Sequence, residues 1–219
     1  MFDYIKDLIP VGRFNRPGNK MSPEYITIHD TANTSAGANA LMHARYLKTV
    51  TKEVSWHYTV DDTNVVQHLP WNETGWHAGD TQGNNNSIGC EICMNSDGNR
   101  AKAEENMQLL CVDLMKETGI ALDHIVQHNH WSGKDCPQVL RARANGWANF
   151  IEGIDKMIHP YITPITPVVE VAKVEELTFD EALQIVKSKV DIDIEYWKQA
   201  NEFDKYIDLL FIKFAKAVK

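Results

Sequence analysis

Residues 101–118 place Met107, Leu110, Cys111, Leu114 and Met115 along one side of a helix, with Gly119 as its stop. Short β-branched runs stand on both sides of that helix, and an alternation of this kind restricts the chain to a sheet with helices packed on it. The run Tyr25-Ile26-Thr27-Ile28-His29, after Ser22-Pro23, reads as a strand that delivers His29 at its end. Residues 87–93 read as a second strand, where alternation sets Glu91 on the face opposite Ile88, Cys90 and Ile92. A third, Ile125-Val126-Gln127, ends at His128.

The remaining segments fit around these. Ala40, Leu41, Ala44 and Leu47 predict a helix over 38–48. Two strands, 56–60 and 65–69, are joined by the polar turn Asp61-Asp62-Thr63-Asn64 as a hairpin. The glycine-containing stretch 71–86 reads as a long surface loop, and loops of that length are often functional. Trp147, Phe150, Ile151, Ile154 and Ile158 mark a helix whose apolar stripe covers the sheet. Pro160, Pro164 and Pro167 punctuate a linker over 160–177. Beyond it, Thr178-Phe179-Asp180-Glu181 has capping-box form and Phe203, Ile207, Leu210, Phe211, Phe214 and Val218 recur at helical spacing, so 178–219 is expected to be a small helical module.

At 219 residues, 43% of them hydrophobic, the chain can bury a full α/β domain with a smaller module beside it. A formal net charge of −8 without any basic run argues against a nucleic-acid partner. Asp3, Lys6 and Asp7 interrupt the first residues, so no signal peptide is expected there, and no apolar stretch is long enough to span a membrane. Cys90, Cys93, Cys111 and Cys136 suit free thiols or metal ligation better than a disulfide framework, which makes synthesis in a cytoplasm the default expectation.

A catalytic zinc takes three protein ligands and keeps a fourth position open. His29, His128 and Cys136 offer such a set, although nine histidines allow many triplets and Asp135 is a second candidate at the third corner. Cys90 and Cys93 have CxxC spacing but would point to opposite faces of one strand, so a shared metal is not expected. Cys90, Cys93 and Cys111 read as packing thiols. His43, His68, His124, His130 and His159 read as surface or partly buried side chains rather than ligands.

Three runs are informative together: Tyr25 to Thr31, then Ser55-Trp56-His57-Tyr58-Thr59-Val60-Asp61-Asp62, then Gly75-Trp76-His77-Ala78-Gly79-Asp80. With the strand 87–93 and the closing segment His128 to Pro137, whose end has a Lys-x-Cys-Pro pattern, the set resembles the zinc N-acetylmuramoyl-L-alanine amidases related to peptidoglycan recognition proteins. It is most similar to amidase domains of bacteriophage endolysins and bacterial autolysins, over about 5–158. The resemblance implies a mixed central β-sheet flanked by helices, an open groove for the stem peptide of bacterial peptidoglycan, and His29, His128 and Cys136 as zinc ligands. It matches Glu91 to the family's acidic residue near the metal and Lys134 to the lysine two residues before the third ligand.

From these matches, Glu91 is expected to move the water proton to the departing alanine nitrogen, and Lys134 to stabilise the carbonyl oxygen. Some relatives carry a tyrosine where Trp56 stands, so Trp56 is expected to line the groove instead. His57, Trp76 and His77 are the other groove candidates. The register of Lys-x-Cys-Pro favours Cys136 over Asp135. Two rivals remain: a cysteine hydrolase using Cys136 or Cys90, and a muropeptide-binding module that does not cut. The tail is expected to attach to the wall or to self-associate, and the enzyme to act on the wall after release from a host cytoplasm.

Overall fold

A computed structural model describes residues 2–159, and also residues 180, 181, 184 and 185, which are helical. The expected linker and the rest of the expected tail module lie outside the described residues. The chain divides into two compact units, Met1–Ile162 and Thr163–Lys219, and the first carries all that follows.

In chain order this unit forms β1 (Asp3–Lys6), β2 (Tyr25–Asp30), α1 (Ala40–Thr49), β3 (Tyr58–Val60), β4 (Asn64–Gln67), α2 (Thr81–Asn86) and β5 (Ser87–Ile92). It continues with α3 (Arg100–Thr118), β6 (Ile125–Gln127), α4 (Asn129–Ser132), α5 (Gln138–Ala142) and α6 (Gly146–Ile158). The strands form a six-stranded sheet in the order β1-β4-β3-β5-β2-β6. Only the β3–β4 hairpin pairs antiparallel, so the sheet is mixed, as expected.

Strand alternation decides which side chains meet which layer. Ile26, Ile28, Ile88, Cys90 and Ile92 are buried against Met107, Leu110, Cys111 and Leu114 of α3 and Phe150 and Ile154 of α6. On the other face α1 lays Ala40 and Ala44 on Val66 and Cys93, while Leu47 meets Ile9, Trp56 and Leu69. Side-chain caps fix the starts of α1 and α3, where the Asn39 side chain accepts the Met42 N–H and the Asn99 side chain accepts the Lys102 N–H. Gly119 closes α3 at φ 78°, a left-handed conformation that glycine adopts without penalty.

Three elements depart from the expectation. Asp3–Lys6, whose charges disguised it, is an edge strand parallel to β4. The stretch 71–86 is not a surface loop throughout: Thr74, His77, Ala78 and Gly83 are buried, and its end is α2. That helix is started by Asp80, whose carboxylate accepts the Gly83 N–H at 2.9 Å. His68 and His43, expected at the surface or partly buried, are both buried, and His68 shares a 2.8 Å contact with Thr59 Oγ1.

Candidate active site and metal centre

Glu91 and His29 are register partners on the parallel strands β5 and β2, and His128 follows β6 on the other side of β2, with its N–H donating to the Ile28 carbonyl at 3.2 Å. The three therefore stand in a row across three adjacent strands at their C-terminal ends, where ligand sites of open parallel sheets gather. Cys136 is brought to the row by the segment after α4. The Asp30 N–H donates to Cys136 Sγ at 3.4 Å, and the Asn129 N–H donates to the Cys136 carbonyl at 3.1 Å.

The ligand atoms of His29, His128 and Cys136 all lie within 4.8 Å of one another, and all three residues are buried. The Nδ1 atoms of the two imidazoles are 3.0 Å apart, and Cys136 Sγ is 3.9 Å from His29 Nδ1. Burial, reinforced by neighbouring His77, His128 and Lys134, holds His29 well below the usual histidine range, and burial with Lys134 lowers His128. Both rings are thus neutral. Each spends its Nε2 elsewhere, His29 at 3.0 Å from His77 Nδ1 and His128 at 2.9 Å from the Ala78 carbonyl. Two imidazole nitrogens and a sulfur converge, a donor set that fits a borderline-soft cation. Asp135 is exposed and paired with Arg141 at 2.6 Å, so the third corner belongs to Cys136.

Glu91 completes the row. Burial, with the Asp30 charge beside it and Lys134 opposing, pushes its carboxyl up to about 8, and its Oε2 has no hydrogen-bond partner among the described residues. A carboxyl poised there can hold or accept a proton near neutrality. Lys134 is exposed, and its charge lowers the pKa of His29, His128, Glu91 and Cys136 alike, which places its field over the whole centre. Burial raises the Cys136 thiol to about 12, so without a cation it is a poor nucleophile, and burial also holds Cys90 well above the usual thiol range.

The groove candidates separate. Trp56 lines a cavity of about 270 Å³ beside Glu91, together with Thr31, Asn33, Met42, His43 and Tyr46. Its indole N–H donates to Thr59 Oγ1 at 2.7 Å, so only the ring faces that space. His57 is fully buried, with its Nδ1 accepting the Gly89 N–H at 2.9 Å and its Nε2 2.7 Å from the Glu73 carbonyl, which leaves nothing for a substrate. His77 is likewise buried, between His29 and the Ser87 carbonyl. Both are part of the wall behind the site rather than of its groove. Trp76 is half-buried, and its N–H donates to Ser55 Oγ at 3.1 Å.

The cavity residues Thr31, Asn33, Met42 and Tyr46 were not singled out for the groove from sequence, and His43, read there as a surface or partly buried side chain, is buried against it. They come from the segment after β2 and from α1, and only the fold brings them to Glu91.

A family model described as N-acetylmuramoyl-L-alanine amidase matches residues 19–139, a span that holds the whole row and Cys136. N-acetylmuramoyl-L-alanine amidase XlyA of Bacillus subtilis (strain 168) is 54% identical over 156 residues, covering 70% of this chain and 52% of that protein. CwlH of the same organism, also an N-acetylmuramoyl-L-alanine amidase, is 51% identical over 158 residues, 71% of this chain and 62% of that protein. The chain thus spans about half to three-fifths of the length of these relatives. The solved catalytic domain of XlyA superposes with a TM-score of 0.67 at 55% identity, covering 69% of this chain and 99% of that one.

Proposed function

The chain belongs to the N-acetylmuramoyl-L-alanine amidase family, and from that premise we propose that it hydrolyses the amide between the lactyl group of N-acetylmuramic acid and L-alanine in bacterial peptidoglycan, with zinc at His29, His128 and Cys136. The observation that carries this reading is the pair of Nδ1 atoms 3.0 Å apart beside a buried cysteine.

A zinc ion bound there supplies a Lewis acid for the scissile carbonyl and acidifies water. The residues of the chain do the rest. Glu91, at the end of the row, takes the proton of the attacking water and returns it to the alanine nitrogen as the C–N bond breaks. Its raised pKa suits the second half of that exchange. Lys134 sets its positive charge against the oxygen that becomes negative during attack. Trp56 and Tyr46, stacked with ring centroids 6.3 Å apart, give the substrate an apolar wall beside Glu91.

The high pKa of Cys136 weighs against the cysteine-hydrolase alternative. Glu91 and Lys134 around the same centre weigh against a module that only binds muropeptides.

The test is hydrolysis of purified cell walls, followed as new free amino groups on alanine, before and after chelation. Loss on chelation, with recovery on adding one equivalent of zinc, is the expected result. Activity that survives complete metal removal would favour the cysteine route, and walls left uncut by the zinc-loaded protein would favour the binding module.

A further inference from the structure

The segment His77–Ala78 touches both histidines of the centre. His77 Nε2 lies 3.3 Å from the Ser87 carbonyl oxygen, which can only accept, so that nitrogen carries the hydrogen. In the neutral ring His77 Nδ1 is then bare and can accept from His29 Nε2, 3.0 Å away. In that arrangement His29 Nδ1 is left without a hydrogen. One residue further on, the Ala78 carbonyl imposes the same choice on His128, because it accepts from His128 Nε2 at 2.9 Å. With a hydrogen on either Nδ1, a buried Nε2 would meet another lone pair, and with none the two Nδ1 lone pairs face each other at 3.0 Å, an opposition that a cation between them relieves.

The segment is itself held from behind. The N–H groups of His77 and Ala78 both donate to Asn84 Oδ1, at 2.9 and 2.8 Å. The His77 ring lies on Gly89 of β5, where a Cβ would come within 2.5 Å of its Cγ.

We propose that His77 is a positioning residue which, with the Ala78 carbonyl and the Asn84 anchor, fixes the tautomers of His29 and His128 so that both Nδ1 atoms stand ready for the metal before it arrives. The hydrogen bond made by one ring nitrogen decides what the other can do. A ligand histidine free to exchange tautomers spends part of its population with a hydrogen on the coordinating nitrogen, and that fraction is unavailable to the cation.

This inference rests on the zinc reading of the centre, so zinc affinity is measured first on the unaltered protein by competition with a chromophoric chelator. Failure of that protein to bind zinc would undo the zinc reading. With binding established, His77→Ala is expected to lower affinity by about 10- to 100-fold. His77→Asn, whose side-chain oxygen can take the place of Nδ1 as acceptor, is expected to recover part of the loss. Thermal melting of the metal-free variants checks that they fold.

Nitrogen-15 spectra of the metal-free protein supply a readout independent of affinity. His29 and His128 are both expected as Nε2–H tautomers. In His77→Ala the His29 signal is expected to become mixed while His128, held by Ala78, keeps its form. Equal zinc affinity in His77→Ala, or an Nδ1–H tautomer at His29 in the unaltered protein, would overturn the proposal. The second measurement stands even if the alanine variant does not fold.

Discussion

The carboxylate of Asp30 accepts the backbone N–H of Val139 at 2.7 Å, across 109 residues of sequence. Its other oxygen pairs with Arg100 at 2.6 Å, at the start of α3. Asp30 thus ties the end of β2, the start of α3 and the segment that delivers Cys136. Asp30→Ala is expected to destabilise the metal-free protein by about 1–3 kcal/mol in urea unfolding, because the Val139 N–H and one arm of the Arg100 guanidinium lose their acceptor while Glu104 keeps the other arm. Zinc affinity should fall with it as the Cys136 segment loosens. A variant with unchanged unfolding and unchanged zinc affinity would show that Asp30 holds nothing.

Glu91→Gln is expected to lower kcat by about 10²- to 10⁴-fold while zinc stays bound, the span expected when a general acid–base group is removed. Wall hydrolysis and metal content, measured on the same sample, check this.

The same carboxyl makes the metal-free protein pH-sensitive. Folded Glu91 keeps its proton to about pH 8 against an ordinary 4.5, so between those values the folded state binds more protons than the unfolded chain. The contribution is fully present below about 4.5 and is lost as pH rises through about 8, a difference on the order of a few kcal/mol. Buried histidines with lowered pKa pull stability the other way below about pH 6.5, so the readout is the difference in chemical unfolding between unaltered protein and Glu91→Gln, both chelated. From pH 5 to pH 8.5 the unaltered protein should lose stability relative to the variant.

Gly89→Ala tests the seat of His77. The added methyl would overlap the ring, and since the strand cannot yield without breaking its pairing to β2 and β3, the ring must shift. A loss of about 1–3 kcal/mol in unfolding free energy is expected, together with weaker zinc binding. Gly119→Ala, far from the centre at φ 78°, should cost about 1 kcal/mol and leave zinc binding unchanged.

A fragment ending at Ile158 is expected to fold alone and to keep its hydrolysis of solubilised wall fragments. The described core from Ile26 to Ile154 lies inside it. Thermal melting and release of alanine amino groups, compared with the full chain on intact walls, would separate the catalytic unit from whatever 178–219 adds.

The row was legible because a strand period of two needs no tertiary information: β-branched runs ending in His29 and His128, and Glu91 set against Ile88, Cys90 and Ile92, mark both the element and the face. Helices α3 and α6 were legible from their apolar stripes. What stayed hidden depends on partners far away in sequence. Asp3–Lys6 becomes a strand only because β4 is beside it, and Thr81–Asn86, with Gly83 and three asparagines, is a poor helix former that tertiary contacts hold. The capping aspartate Asp80 was the one local signal for it. His57 and His77 carry the same side chain as the ligands, and nothing local separates a histidine that would bind the metal from one that orients a ligand. Only the distances from His77 to His29 and Ser87 make that distinction.

Because Glu91 and His29 are register partners on paired strands and His128 directly follows β6 with its N–H bonded to Ile28, their spacing is set by the hydrogen bonds of the sheet and not by the loops around it. Loops at the mouth of the groove can therefore lengthen, shorten or change sequence across a lineage without retuning these three. Heat should spare them until the whole unit melts. Cys136, reached through a turn and tethered by Asp30, is the corner where wear should begin, so slow inactivation in storage should be read first as loss of bound metal from a protein that still has its native circular dichroism.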